Sequence, residues 1–289
     1  MDKDTALKKV GELQKVVASH LKNMRTTAPE RFVDTSYGKI RVLEYGFDVP
    51  EKKPLYVDIH GGGYVLMAPE FDEPINIGIM KRTDVKVISI DYPLAPQHPY
   101  PEGIEATYEV VRHYYENAEE YRIDRENIGI GGYSSGGNFA AVTCIKANER
   151  KDLKIKYQVL CYPGTDAATP AHEKPKSTEI LTNDDAEMFV LCYLTDPEHA
   201  VSPYVSPVRA SKEQLTGLPP ALMILAGDGD PLSPEGRCYL EKLKEAGVRT
   251  ELHEFGGTLH GFMQSEDPNA GKAIGIMINF IQTEKDRVG

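Results

Sequence analysis

The chain has 289 residues, of which 40% are hydrophobic and 27% charged, and its formal net charge is −11. This composition indicates a soluble globular protein of one large domain or two ordinary ones, and it excludes a disordered chain. The acidic balance argues against nucleic acid as a partner, because attraction to phosphates needs a basic surface. No run approaches the roughly 20 apolar residues of a membrane span, so we expect no membrane partner either.

The first residues and the cysteines bear on location. The N-terminus reads MDKDTALKKV, with acids and lysines where a signal peptide carries an apolar run, so we expect a cytoplasmic location. The four cysteines, which are far apart and follow no metal-ligand spacing, are Cys144, Cys161, Cys192 and Cys238. We predict that they are buried, reduced thiols and that the protein binds no metal.

The first predicted element is a helix over residues 6–24. Its apolar residues recur at steps of three or four, which indicates one apolar face that needs a surface to lie on. Two short strands follow, over Arg31–Asp34 and Ile40–Tyr45, and the segment SYGK between them predicts a hairpin.

Further along the chain, short apolar runs rich in Val, Ile and Leu alternate with helical patterns. The predicted strands are 54–60, 85–92, 127–134, 157–163, 221–228 and 250–255. The predicted helices are 73–83, 102–120, 136–147, 234–246 and 270–283. Nearly continuous apolar strands are typical of parallel strands that are buried on both faces. The alternation therefore predicts an α/β fold with a mostly parallel central sheet and helices on both of its faces.

Residues 166–203 interrupt this alternation. The segment is rich in Pro, Thr and Asp and contains one helical pattern, at 184–194. Long insertions in compact domains are usually lids or binding loops. We therefore predict a small helical cap formed by residues 1–25 and 166–203, above a core formed by residues 26–165 and 204–289; a plain surface loop is the alternative.

Two adjacent serines lie between a predicted strand and a predicted helix. The segment GYSSG, residues 132–136, fits the pattern Gly-x-Ser-x-Gly only when it is centred on Ser134. This pattern is typical of a sharp turn that exposes a nucleophilic serine above a sheet, and bulky residues at 132 and 136 would clash there. Ser134 is therefore the candidate nucleophile. The backbone N–H of Ser135 begins the helix and can point at a developing oxyanion, where the helix dipole adds positive charge.

Three glycines follow the strand at 54–60, in the segment HGGG. Glycines allow backbone N–H groups to approach a substrate without an intervening side chain. The run is typical of the second half of an oxyanion hole in esterases and lipases, and we assign Gly62 and Gly63 as donors. We expect His60 to brace the loop by hydrogen bonds. A phosphate loop is disfavoured, because no Gly-Lys-Ser/Thr follows.

A serine nucleophile needs a base, and the base needs an acid that orients it. In this kind of fold the acid and then the histidine follow the serine along the chain. Asp228 lies at the end of the strand at 221–228 and Asp230 just beyond it, and His260 lies between the strand at 250–255 and the last helix. We select His260 as the base. We prefer Asp230 to Asp228 as the acid, because Asp230 lies farther beyond the strand end.

Taken together, these segments resemble the hormone-sensitive-lipase-like (family IV) esterases of the α/β-hydrolase fold. The matching segments, in the family order, are HGGGY (60–64), DYPLAPQHPYP (91–101), GGYSSGGNFAA (131–141), GLPPALMILAGDGDPL (217–232) and LHGF (259–262). The resemblance implies an α/β-hydrolase core with a cap and no cofactor. It also implies a catalytic triad and three oxyanion donors, which are Ser134, Asp230 and His260, and Gly62, Gly63 and Ser135. The expected activity is hydrolysis of short-chain esters, acetyl to butyryl, through an acyl-enzyme intermediate.

The sequence departs from the family pattern in places. Tyr133 and Ser135 replace the usual Asp and Ala of the serine motif, and Pro93 stands where the family usually has Arg. These departures leave the substrate open. An amidase, formamidase or lactonase with the same triad is the alternative function, followed by a non-catalytic ligand-binding protein of this fold. The strand at 250–255, as an edge strand, would allow a homodimer.

Overall fold

The computed structural model describes residues 1–177 and 179–287 of the chain. Its helices are α1 (Lys3–Leu21), α2 (Glu73–Thr83), α3 (Glu102–Glu116), α4 (Ser135–Arg150), α5 (Asn183–Tyr193), α6 (Lys212–Leu215), α7 (Ser233–Glu245) and α8 (Ala270–Asp286). Its strands are β1 (Glu30–Thr35), β2 (Gly38–Tyr45), β3 (Lys53–Ile59), β4 (Lys86–Asp91), β5 (Ile123–Tyr133), β6 (Tyr157–Cys161), β7 (Ala221–Leu225) and β8 (Thr250–Glu254). Each predicted strand and helix is present, most of them with slightly different ends, and α6 is additional.

The eight strands form one sheet in the order β1-β2-β4-β3-β5-β6-β7-β8. β2 pairs antiparallel with β1 and with β4, and the remaining strand pairs are parallel. Strands β6 and β7 are buried at every residue, as expected for strands covered on both faces. The predicted hairpin and the mostly parallel sheet are confirmed, and β8 lies at one edge.

Helices cover both faces of the sheet. One apolar cluster contains side chains of α2 and α8, and the other contains side chains of α3, α4 and α7. Each helix contributes the apolar stripe that its sequence periodicity predicts, for example Ile104, Tyr108 and Val111 in α3. The predicted α/β fold class is therefore confirmed.

The two segments predicted to form a cap lie against each other. Helix α1 packs on α5, the N-terminal ammonium group lies 2.8 Å from Glu187, and Lys3 Nζ donates to the carbonyl oxygen of Leu194 at 3.2 Å. Residues of both segments line the cavity described below. The division into a core and a cap stays a prediction.

Two element ends differ clearly from the prediction. Helix α3 ends at Glu116 rather than at residue 120, because the Asn117 side chain donates to the carbonyl oxygen of His113 and caps the helix. Strand β5 begins at Ile123, which pairs with Lys53 across a register shift. Residues 124–126 are partly or fully exposed and polar, so their sequence carries no apolar signal for a strand.

The cysteine prediction is wrong at one position. Cys144, Cys161 and Cys192 are buried, but Cys238 is exposed. Cys238 lies on α7 beside the buried Tyr239, and its direction on the helix turns it to solvent.

Over residues 1–177 and 179–287, no helix has both the length and the apolar character needed to cross a bilayer.

Candidate active site

Ser134 lies at the turn between β5 and α4. Its backbone has φ 53° and ψ −115°, a conformation that L residues rarely adopt and that costs on the order of 1–3 kcal/mol. Two backbone hydrogen bonds fix the turn: the Ser134 N–H donates to Cys161 O at 2.9 Å, and the Gly164 N–H donates to Ser134 O at 3.2 Å. The predicted sharp turn is therefore present, and the surrounding backbone holds it.

The glycines on either side of Ser134 are required by close backbone contact. A Cβ added to Gly132 would lie 2.5 Å from the carbonyl carbon of Gly136. A Cβ added to Gly136 would lie 2.0 Å from the carbonyl oxygen of Ile59 in β3. The clash predicted for bulky residues at positions 132 and 136 therefore involves backbone atoms, which cannot move aside as a flexible side chain can.

The structure brings the three predicted polar residues into one hydrogen-bonded chain. Ser134 Oγ lies 2.8 Å from His260 Nε2, and His260 Nδ1 lies 3.0 Å from Asp230 Oδ2. The Asp230 side chain is fully buried, and its other oxygen accepts the N–H of Leu232 at 2.9 Å. The alternative acid, Asp228, is exposed and lies 3.8 Å from Arg237 on the surface.

The glycine-rich loop approaches Ser134 from β3. We call residues 61–67, which contain the predicted oxyanion donors Gly62 and Gly63, the oxyanion loop. Gly62 and Gly63 have φ values of 113° and 61°, and the Val65 and Leu66 N–H groups both donate to Gly62 O, which forms a tight turn. Among residues 1–177 and 179–287, no hydrogen bond uses the N–H of Gly62, Gly63 or Ser135. The predicted donors are therefore free to bind an anion.

His60 lies behind this loop. Its ring stacks on Tyr92 with 4.2 Å between ring centroids, and its Nδ1 lies 2.7 Å from Gly61 O. Burial lowers the pKa of His60, so the ring is neutral and Nδ1–H is the donor to this carbonyl. Tyr92 Oη donates to His60 O at 3.1 Å. These contacts agree with the bracing role expected for His60.

A second polar chain, which the sequence did not reveal, lies beside His260. The Tyr162 ring meets the His260 ring edge-on at 5.1 Å, and Tyr162 Oη donates to Gln264 Oε1 at 2.5 Å. Gln264 Nε2 in turn donates to Asp72 Oδ1 at 2.9 Å. Burial, with the nearby charge of Asp58, raises the pKa of Asp72 well above its ordinary value. Burial also raises the pKa of Asp58 to about 6.

A cavity of about 800 Å³ opens above Ser134. Its floor contains the oxyanion loop and His260, and its walls include apolar side chains of the two predicted cap segments, among them Leu13, Leu181 and Phe189. Volumes of this order are usual for small-molecule sites. The cavity can therefore enclose a small, mainly apolar molecule next to the Ser134 hydroxyl.

One charged pair forms part of the cavity wall. Lys174 Nζ lies 2.6 Å from Glu235 Oε2, and the two side chains are 10% and 9% exposed. Glu235 Oε1 also accepts the N–H groups of Thr165 and Asp166. Because every charge of this pair has a partner, the pair joins the 166–203 segment to α7 without presenting a free charge to the cavity.

The structure shows the surroundings of two positions, 133 and 93, at which the sequence departs from the family pattern. Tyr133 is buried, and its hydroxyl lies 3.8 Å from the sulfur of Met277 in α8. Close to Pro93, the Asp91 carboxylate pairs with Arg41 of β2, with 2.8 Å between Arg41 Nε and Asp91 Oδ2. Arg41 also pairs with Glu70 at 2.8 Å. Arg41 therefore links the carboxylates of Asp91 and Glu70.

Comparison with known proteins adds relatives of named activity. The chain is 34% identical over 220 residues to a carboxylesterase, NlhH, of Mycobacterium tuberculosis, covering 74% of this chain and 68% of that protein. It is 31% identical over 250 residues to an arylesterase of Saccharolobus solfataricus, covering 83% and 80%. Among solved structures, a hyperthermophilic esterase of Pyrobaculum calidifontis superposes with a TM-score of 0.84 at 32% identity, covering 98% of this chain and 91% of that one.

Within the described residues, no group of three or more His, Cys, Asp or Glu is arranged to hold a metal ion.

The family profile of the α/β hydrolase fold matches residues 56–264, which contain both glycine motifs, the serine, the acid and the histidine. The chain therefore belongs to the α/β-hydrolase fold family, in its hormone-sensitive-lipase-like (family IV) branch.

Proposed function

We propose that the protein is a serine carboxylesterase that hydrolyses short-chain esters, acetyl to butyryl, through an acyl-enzyme intermediate. The observation that carries this proposal is the unbroken chain from Ser134 Oγ through His260 to the buried Asp230. Relatives named carboxylesterase and arylesterase, and a similar solved esterase, support ester bonds as the target.

The proposed first half-reaction forms the acyl-enzyme. Asp230 accepts the Nδ1–H of His260, so Nε2 carries the lone pair that receives the Ser134 proton. Ser134 Oγ bonds to the ester carbonyl carbon, and the carbonyl oxygen becomes an oxyanion. The tetrahedral intermediate then breaks its bond to the alcohol oxygen, which takes the proton from His260 Nε2 and leaves.

The second half-reaction repeats these steps with water. His260 takes a proton from the water as its oxygen bonds to the acyl carbon. Collapse of the second tetrahedral intermediate breaks the bond to Ser134 Oγ, which recovers its proton from His260. The products are a carboxylic acid and the free enzyme.

The oxyanion would be stabilised by the N–H groups of Gly62, Gly63 and Ser135. Support comes from the lack of any other acceptor for them in the described residues, and from the position of Ser135 at the first turn of α4. Loss of one such donor typically lowers kcat about 10²- to 10³-fold. These donors therefore provide a large part of the proposed rate enhancement.

A short, uncharged acyl group is inferred from the surface and the cavity. Among the described residues, the exposed large apolar side chains are spread over several segments, such as Val16 in α1, Phe32 in β1 and Val201. Leu13, Met67 and Ile180 line the cavity instead. We infer that residues 1–25 and 166–203 act as a cap that shields a small ester from water. Pairing of two β8 edge strands in a homodimer stays a prediction.

The proposal is tested with p-nitrophenyl esters from acetyl to octanoyl. We expect the highest kcat/KM between acetyl and butyryl, and a loss of about 10⁴-fold or more in kcat for Ser134→Ala. Ser36→Ala, in the exposed turn of the β1–β2 hairpin, is the matched serine control. Near-normal turnover by Ser134→Ala would refute the assignment. Faster turnover of amide or lactone probes than of esters would replace it with the alternative function.

A further inference from the structure

A side chain of the N-terminal helix contacts the backbone of the oxyanion loop. Gln14, in the middle of α1, donates from Nε2 to Val65 O at 2.9 Å and to Ala95 O at 3.0 Å. Val65 lies in the oxyanion loop, and Ala95 lies in the loop after β4. The Ala95 N–H also donates to Tyr64 O at 3.0 Å, so these two loops are joined at two adjacent positions.

The orientation of the Gln14 amide is fixed by a second glutamine. Gln97 Nε2 donates to Gln14 Oε1 at 2.9 Å, which turns the Gln14 amino group towards the two carbonyl oxygens. Gln14 does not line the cavity, whereas its neighbour Leu13 does. Gln14 can therefore affect a substrate only through the backbone that it holds.

The oxyanion loop needs such support because of its backbone conformation. Besides Gly62 and Gly63, the non-glycine residues Tyr64 and Met67 have positive φ values of 69° and 71°. Residues of this kind keep a left-handed conformation only where the surrounding structure enforces it. If the loop relaxed, the N–H groups of Gly62 and Gly63 would lose the fixed orientation that the proposed oxyanion hole requires.

Helix α5 contacts the same loop. The Phe189 ring lies directly against Gly63, where an added Cβ would lie 2.3 Å from Phe189 Cδ2. Four residues later, Tyr193 stacks on Tyr64 with 4.0 Å between ring centroids and 8° between ring planes. Apolar packing from α5 and hydrogen bonds from α1 thus meet at consecutive residues of the loop.

We propose that Gln14 is a positioning residue of the oxyanion hole, and that α1 acts in catalysis by fixing the backbone of residues 61–67. The proposal rests on the esterase function proposed above. The N-terminal helix then contributes to kcat as well as covering the cavity.

The test uses Gln14→Met in the full-length protein, because methionine keeps the length of the side chain and removes both donors. We expect kcat for p-nitrophenyl acetate to fall about tenfold, with KM within twofold of wild type, because the loop contacts the oxyanion and not the rest of the substrate. Hydrogen exchange of the Val65 and Leu66 amides, which bond to Gly62 O, should become faster.

Two further variants distinguish a specific effect on the oxyanion loop from a general loss of packing by α1. Lys3→Met removes a hydrogen bond from α1 to the Leu194 carbonyl, which involves no loop atom, and should leave kcat and exchange at residues 61–67 within twofold of wild type. Gln97→Ala, at an exposed position, frees the Gln14 amide without changing α1, and should lower kcat about threefold. Gln97→Ala serves as the test variant if Gln14→Met fails to fold.

The proposal is overturned if Gln14→Met and Gln97→Ala keep wild-type kcat, or if Lys3→Met lowers kcat as much as Gln14→Met does. It is also overturned if exchange at Val65 and Leu66 does not change. If wild-type protein hydrolyses no ester, the esterase proposal fails separately, and the exchange measurement alone then decides whether Gln14 fixes the loop.

Discussion

Ser134 Oγ lies 2.8 Å from His260 Nε2, although 126 positions separate these residues along the chain. The two residues follow β5 and β8, and Asp230, the third member of the chain, follows β7. Parallel strands place the loops after their carboxyl ends at one edge of the sheet, which is where open α/β sheets bind ligands. The contact is therefore a product of strand direction rather than of sequence proximity.

The two aspartates after β7 provide a matched pair of variants. Asp230→Asn keeps the shape of the buried side chain but can stabilise the wrong tautomer of His260, so we expect kcat to fall about 10⁴-fold. Asp228→Asn alters an exposed carboxylate and should keep kcat within twofold of wild type. Steady-state kinetics with p-nitrophenyl acetate checks both. Equal activities of the two variants would remove Asp230 from the proposed mechanism.

Two glycine-to-alanine substitutions should change stability in opposite directions. Gly136→Ala places a Cβ 2.0 Å from Ile59 O, so β3 and α4 must separate, and we expect a loss of about 3 kcal/mol or more. Gly275→Ala lies in α8 with no atom within 4 Å of the added Cβ, and should stabilise the protein by about 0.5–1 kcal/mol. Urea unfolding of both variants measures the difference; a Gly136→Ala protein as stable as wild type would contradict the close contact.

Stability should depend on the protonation of the buried Asp58. Burial raises the pKa of Asp58 from 3.8 to about 6, so the folded protein binds this proton more tightly than the unfolded chain does. The stabilisation that comes from this bound proton is complete at pH values below the pKa of Asp58 in the unfolded chain. It is lost as the pH rises through about 6, the pKa of Asp58 in the folded protein. Asp72, whose pKa is raised for the same reason and by the charge of Asp58, acts in the same direction.

Asp58→Asn tests this dependence. Asparagine stays neutral at every pH, and its oxygen can still accept from Asn76 and Ser89. Relative to wild type, the variant should gain stability as pH rises from 4 to 8, by up to about 3 kcal/mol. Denaturant unfolding across this range measures the gain, with Asp34→Asn as an exposed control. A constant difference between variant and wild type across the range would show that Asp58 does not titrate there.

One sequence is enough to predict the local chemistry of the site. Gly132, Ser134 and Gly136 are recognisable because a tight strand-to-helix turn excludes larger residues within a few positions of the serine. Gly62 is recognisable for the same reason, because an added Cβ would lie 2.1 Å from the carbonyl oxygen of Leu66, four residues later. Apolar periodicity likewise identified the parallel strands, since burial on both faces leaves a continuous pattern.

The distant residues that support that chemistry are identified by the packing of the folded chain. Gln14 reaches Val65 across 51 positions, and Gln264 reaches Asp72 across 192. Asp91 obtains Arg41 as its partner because β2 and β4 are neighbours in the sheet. A glutamine or an aspartate has no sequence pattern that indicates its distant partner, because such contacts depend on how helices and loops pack. Local backbone sterics are therefore readable from one sequence, and long-range polar contacts are not.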